Sequence, residues 1–400
     1  MSGIRDYKKE KLKKADSSNG EAEDYKRKLR DHNFKKLLIL VIIAIVVVVA
    51  LIIVIIQVKK HSYSGYSVED VIRRTDSGYA TYFGEEDIYI RCSRDGIAAF
   101  SYGGAQKWNK TYEINTLGID SAGNYIAVAD VGGNNIYFFY VNGFITKIGT
   151  TLPIVKISVS EKGLGVAILE DKDASYIEMY GKDGTKIFTI KTTPSSDGIP
   201  TDADVSPDGN KLVVSFTSVK GVELSTSVDF YNFDVVGQNE SERIVGGFSI
   251  YDNQLVGDVE FLNETAVVAV AENLVSFYTI KEYPKLINNI EITEKIQQIL
   301  YSESYFAFVY AGDNGASNLV VYDLSGELQY TKAISGDYNS FEFTAVGVMV
   351  HGGKNYMLLN EKGNEVISGA FESDISDVIS IAGKEYIFVS PDKLYKVKFK

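Results

Sequence analysis

Cysteine occurs once in this chain, at Cys92, tryptophan once, at Trp108, and histidine three times. A single thiol excludes an intrachain disulfide, which is unusual for a long extracellular animal domain and ordinary for a bacterial cell envelope. The three Asn-x-Ser/Thr sequons, at Asn109, Asn239 and Asn263, then read as chance matches. After residue 60 the only histidines are His61 and His351, so no His/Cys cluster for zinc can be assembled. Basic residues are scarce in the same region: 27 Lys/Arg stand against 46 Asp/Glu beyond residue 60, a balance of −19. Such a surface lacks the basic footprint that nucleic acid or an anionic polymer requires.

Polar residues are missing altogether from one stretch. Leu37 to Ile56 are twenty consecutive apolar residues, mostly Val and Ile, and a helix rising 1.5 Å per residue would span a hydrocarbon core of about 30 Å over that length. A secretory signal peptide has a core of roughly 7–15 apolar residues and a small-residue cleavage site. The run here is longer, lies behind 36 residues, and continues into Gln57, Val58, Lys59 and Lys60. It predicts an uncleaved signal anchor over residues 37–58 that engages the lipid bilayer. Residues 1–36 carry 12 Lys/Arg against 7 Asp/Glu, whereas only Lys59 and Lys60 lie close on the other side. The positive-inside rule then leaves the 1–36 tail in the cytoplasm, disordered for want of large apolar residues, and exports the chain beyond residue 58.

Beyond the anchor, helical periodicity is what the sequence lacks. Short runs of Val, Ile, Tyr and Phe alternate with turn residues every 8–12 positions, the mark of an all-β domain. One series of turns recurs at Gly104, Gly143, Gly184, Gly237, Pro284, Gly326 and Gly363, and a second, offset by about half a period, at Gly123, Gly163, Gly209, Asn263, Ser304, Gly347 and Gly383. Two interleaved series with one period of about 40 residues predict a repeated four-stranded unit, as in a propeller blade. From Ile154 the unit reads IVKISVS, LGVAILE, YIEMYG, TKIFTIK, separated by short turns. The frame also fits 116–152, 200–252, 255–294, 295–336 and 338–372, with an opening unit at about 78–115. After Ser373 only three strands remain, and the segment 66–74 (SVEDVIRRT lies across it) is free to supply the fourth. The expected architecture is a β-propeller over residues 76–400 behind a 59–75 linker and closing strand. It has eight blades, or seven if the opening unit has only three strands.

The run from Asp204 to Val214, DVSPDGNKLVV, resembles the strand–SPDG–strand hairpin of WD40-like propellers related to the TolB periplasmic protein. The run from Gly96 to Tyr112, GIAAFSYGGAQKWNKTY, resembles a PQQ-like repeat of quinoprotein propellers. The whole arrangement of basic tail, Ile/Val anchor and Tyr-rich propeller is similar to an uncharacterised family of Gram-positive membrane proteins, domain of unknown function 5711. That resemblance implies fold and topology and no activity. Quinoprotein dehydrogenases repeat the tryptophan motif in nearly every blade, and the single Trp108, with no vicinal cysteine pair, argues against a quinone cofactor. Propeller-capped serine peptidases add a Gly-x-Ser-x-Gly elbow, which is absent here.

Candidate site residues are few. Asp202 and Asp204 alternate on an expected innermost strand, as do Asp258 and Glu260 one blade later, and innermost strands line a propeller's channel. Converging carboxylates could hold Ca²⁺ with oxygen ligands, although a solvated channel wall is the plainer expectation. Asp313, Asn314 and Gly315 lack EF-hand spacing and read as a turn. His351 reads as a turn or packing residue and Cys92 as a small buried hydrophobe. The 47 Tyr and Phe, concentrated on third strands such as IYFFY at 136–140, predict packing between blades with a minority left for recognition. No catalytic or cofactor-binding residue is assigned. The expected function is a membrane-anchored, extracytoplasmic protein-binding or scaffolding module with an envelope protein as partner. The alternative is an envelope hydrolase or lyase acting on glycan or peptide through the Asp202/Asp204 pair.

Overall fold

The computed structural model describes residues 36, 38, 40–49, 63–76, 80–85 and 87–400. The chain divides into two units, Met1–Ser62 and Tyr63–Lys400. In the first, Leu38 and residues 40–49 are helical, with large side chains such as Leu40 and Val46 exposed. The 1–35 tail and the rest of the 37–58 span lie outside the described residues. Among the described residues no helix is long and apolar enough to cross a membrane.

The second unit is all-β: eight four-stranded antiparallel sheets, each a blade of a propeller. Blades 1 to 7 occupy residues 81–111, 117–149, 154–192, 199–248, 256–291, 296–334 and 340–370, each running from its inner to its outer strand in chain order. The opening unit has four strands, Thr81–Glu85, Ile88–Ser93, Gly96–Ser101 and Gln106–Thr111, which decides for eight blades over seven. Blade 8 takes Asp377–Ala382, Glu385–Val389 and Lys393–Phe399 from the end of the chain and its outer strand, Tyr66–Arg73, from the beginning. The two ends pair antiparallel from Tyr66↔Phe399 to Arg73↔Lys393, with one bulge at Glu69.

Burial tracks strand position. Second strands are covered on both faces by neighbouring blades and therefore read as unbroken apolar runs: Ala266–Ala271, AVVAVA, is buried throughout. Outer strands such as Gln106–Thr111, QKWNKT, face solvent and read as polar. Because successive side chains point to opposite faces, neighbours in sequence enter different cores. Phe138 packs between blades 2 and 3, and Phe139 between blades 1 and 2. Among the described residues the buried apolar side chains form eight clusters, one at each blade interface.

The period of the turns has a packing cause as well. Gly363 sits at φ +72°, and a Cβ there would meet the ring of Tyr330 in the preceding blade at 2.5 Å. A glycine is required both by the left-handed backbone and by the close approach. The SPDG hairpin is held by its own side chains: the Lys211 N–H donates to Ser206 Oγ at 2.9 Å, Asn210 N–H to Asp208 Oδ1 at 3.0 Å, and Lys211 Nζ pairs with Asp208 Oδ2 at 3.0 Å.

Cys92 lies in the core between blades 1 and 2, fully buried, with Sγ 3.1 Å from Tyr112 Oη. Burial pushes its thiol up to about 11. The native domain should therefore leave an aromatic disulfide reagent unreacted at pH 8, while the denatured chain consumes one equivalent. Rapid labelling of the native form would contradict the packing of this interface.

Candidate functional site

The inner strand of each blade is a sheet edge, so alternate backbone N–H groups along it have no strand partner. Side chains from the inner strand of the preceding blade supply the missing acceptors. Asp120 Oδ2 in blade 2 accepts from Val159 N–H at 2.6 Å in blade 3, and Ser158 Oγ in blade 3 accepts from Val205 N–H at 3.4 Å in blade 4. Asp202 Oδ2 and Asp204 Oδ2 in blade 4 accept from Val259 and Phe261 N–H in blade 5, at 2.9 and 2.7 Å. In blade 6, Gln298 bonds both ways with the Phe341 backbone of blade 7, at 2.7 and 3.2 Å. The Asp377 carboxylate accepts a backbone hydrogen bond from Tyr82 across the junction of blades 8 and 1. Asp120, Asp202, Asp204 and Asp377 are straps between blades.

The structure places Asp202 and Asp204 on the innermost strand, Ile199–Val205, where Asp202 is buried and Asp204 is half-buried at the channel cavity. Asp202 is only 1% exposed. Its Oδ1 lies 2.8 Å from Lys156 Nζ, the one cation paired with these acids among the described residues. Asp204 Oδ1 accepts from Ser158 Oγ at 2.5 Å. Asp258 and Glu260 lie on the inner strand of blade 5, Val256–Phe261. Burial, and after it repulsion from the other acids, raises the carboxyls: Asp202 to about 6, Asp204 to about 7, and Glu260 well above its ordinary value. Asp120 is raised by burial too. Burial works against the charge of Lys156, but Asp202, with Asp258 and Glu260 behind it, raises its pKa overall.

At one end these acids open into a cavity of about 200 Å³ lined by Asp120, Glu161, Asp204, Glu260, Glu303 and Tyr301. The Tyr301 hydroxyl is buried there beside Asp258, and burial together with that carboxylate pushes its pKa well up. The mouth is a negative funnel. A carboxyl near 7 has the pKa of a general acid, yet both Asp204 oxygens are occupied by structural hydrogen bonds. Among the described residues no group of three or more His, Cys, Asp or Glu is placed to share a metal ion. Asp313–Gly315 forms a single 3₁₀ turn. His351 is 2% exposed at the end of the strand Gly347–Gly352, beside the Ile375 backbone. Burial lowers its pKa to about 4, the state of a neutral packing residue.

Sequence reasoning found the blade 4 and blade 5 acids and missed Asp120, Lys156, Ser158 and Tyr301. Asp120, Ser158, Asp204 and Glu260 stand at corresponding places just before the first turn of their blades. Superposing the repeats by that turn would have exposed them.

A family model matches residues 59–399. This chain is a member of DUF5711, a family of unknown function. Among solved structures the DUF5711 propeller is similar to a eukaryotic initiation factor, with 12% identity, 82% of this chain and 87% of that one covered, and a TM-score of 0.52. That likeness speaks for the fold alone. Hsv2 of Kluyveromyces lactis matches at 10% identity over 75% of this chain and 99% of its own, with a TM-score of 0.46 that is too low to add to it. No curated protein matches the DUF5711 chain.

Proposed function

We propose that this DUF5711 member is a protein-binding module of the bacterial cell envelope, held at the outer face of the membrane by residues 37–58. The observation that carries the binding role is a hairpin in blade 4. Its strands, Lys211–Lys220 and Glu223–Asn232, are ten residues long against five to eight in every other strand. The inner neighbour ends its pairing at Thr217 and the outer one at Val228, so the tip extends beyond both neighbouring strands, with the Leu224 N–H donating to Asn253 Oδ1 at 3.1 Å. At the tip Val222 is 99% exposed and Val219 69%.

The tip lies on the face where the chain crosses between blades, because second strands end there. Val155, Ile199 and Leu255, all exposed, sit at or just before inner-strand starts on the same face. Apolar residues grouped around a projecting strand pair are a recognition surface rather than a core. The rest of the domain is strongly acidic, so the fitting partner is a protein with an apolar docking face and a basic rim. The twenty-residue apolar run and the basic tail before it support the anchored, exported setting. Asp202 and Asp204, the pair a hydrolase would use, are held by the backbone of blade 5 and by Lys156 and Ser158, which favours this reading over an envelope hydrolase.

A membrane-impermeant crosslinker on intact cells tests both halves of the proposal. The wild-type chain should be crosslinked to a discrete partner, and Val222→Glu should lose that adduct at unchanged protein level. If the reagent never reaches the propeller in intact cells, the envelope setting falls. If Val222→Glu keeps the adduct, the hairpin is not the docking element.

A further inference from the structure

The cleft between blades 8 and 1 has the opposite charge to the rest of the domain. It encloses about 100 Å³ where the chain leaves the closing strand, and its lining includes Arg73, Arg74, Arg91, Tyr82, Tyr89 and Phe100. Arg74 is built into the floor: its side chain is 4% exposed, Nη1 donates to Ser390 O at 2.9 Å, and Nε and Nη2 pair with Asp76 at 3.0 and 2.5 Å. That pair is neutral. Arg91 lies over the Phe100 ring, 5.1 Å from its centroid, and donates to Thr75 Oγ1 at 3.2 Å. Among the described residues neither Arg91 nor the exposed Arg73 has a carboxylate partner. The cleft thus carries two uncompensated guanidinium groups on a domain whose balance is −19.

Guanidinium forks match tetrahedral and planar oxyanions, and stacking on an aromatic ring fixes a fork in place without neutralising it. A phosphoryl group, with a charge of about −1.5 to −2 near neutral pH, balances the two free arginines and fits the volume. Burial pushes the Tyr89 phenol up to about 12, so it stays protonated and available as a further donor. We propose that the cleft between blades 8 and 1 binds a phosphoryl group through Arg91 and Arg73, in the seam where the ring closes. Because the Arg74 floor exists only when the closing strand is paired, the ligand binds the native ring and not the unfolded chain, and it stabilises closure by mass action.

The test is the melting temperature of the full chain in sodium phosphate against sodium chloride of equal ionic strength. Phosphate at about 100 times its dissociation constant should raise the melting temperature by about 2 °C or more over chloride. Phosphate also strengthens apolar burial in any protein, so the deciding comparison is the increment across variants. Arg91→Gln should abolish it, and Arg73→Gln, a change at an exposed side chain that leaves the floor intact, should reduce it severalfold. Lys110→Gln, at a cation stacked on Phe144 elsewhere, should leave it whole. An increment of equal size in wild type, Arg91→Gln and Arg73→Gln overturns the proposal, as does no increment over chloride. Glycerol 3-phosphate as effective as inorganic phosphate would identify the phosphoryl end of a larger molecule, and inorganic phosphate alone effective would identify the free ion.

Discussion

Deleting residues 63–75 from the Tyr63–Lys400 domain should lower its stability by about 5 kcal/mol or more and make it aggregate. The deletion removes an entire outer strand, with its ladder from Tyr66↔Phe399 to Arg73↔Lys393. Flanking hydrogen bonds go with it: Tyr63 N–H to Val366 O at 2.9 Å and Arg74 N–H to Asp392 O at 2.9 Å. Tyr63 stacks on Phe399 at 5.7 Å, and Tyr66 packs on Phe371 and Tyr356, so part of the aromatic cluster between blades 7 and 8 is lost as well. The bared edge of Lys393–Phe399 then offers unpaired backbone groups to other chains. The same deletion also removes two arginines of the seam cleft, so phosphate should no longer distinguish itself from chloride. A truncated domain that melts with the complete one would show that blade 8 is stable with three strands.

Acidification from pH 8 to pH 5 should raise the melting temperature by roughly 5 °C, the reverse of ordinary acid denaturation. Buried carboxyls with raised folded pKa values drive this: Asp202, Asp229 and Asp377 at about 6 and Asp204 at about 7, with Asp120, Glu260 and Glu342 raised too. In the unfolded chain these groups titrate near 4. Between the two values the folded chain holds more protons, so their stabilising contribution is present at low pH and is lost as pH rises through the folded values. His351, lowered to about 4, works against them. It contributes stability above its unfolded value of about 6.5 that is lost as pH falls. Asp76, held at about 2 against the pull of burial by Arg74 and Tyr82, acts in the same sense as His351, but mostly below pH 5. The sum favours acid by about 2–5 kcal/mol. Asp204→Asn, which keeps an acceptor for Phe261 N–H, should flatten the profile and raise the melting temperature at pH 8. A melting temperature that falls on going from pH 8 to pH 6 would mean that the axial acids stay ionised beside a bound cation, the calcium reading.

Blade number and closure were legible in the sequence because each rests on a local cause. Turns such as Gly326 and Gly363 need positive φ and pack on the preceding blade, so glycine recurs with the blade period. The leftover of three strands after Ser373 required a partner, and Tyr66–Arg73 was the one unassigned strand-like segment. The role of Asp202 and Asp204 was not legible. Alternation says on which face of a strand a carboxylate lies, but not that an N–H of the next blade, 57 residues away, waits beside it. The long hairpin did leave a trace: the interval between Gly184 and Gly237 is 53 residues where the mean is about 43, and the excess falls in the strands that project. The seam cleft left none, since Arg73 and Arg74, at the end of the closing strand, meet Arg91 of blade 1 only through ring closure.

The direction of the closing strand bears on how the domain would carry load. Blade 8 runs antiparallel through its four strands, so Tyr66–Arg73 starts on the face opposite the inter-blade crossings and ends on the crossing face. The projecting hairpin tip is on that crossing face. Tension between a partner gripped at Val222 and the chain leaving at Tyr63 would therefore have a component along the axis of the closing strand. Its cross-strand hydrogen bonds would then be sheared together rather than peeled one after another, the stronger of the two geometries for a strand under force. In that arrangement the segment most exposed to pulling is also the one that locks the ring.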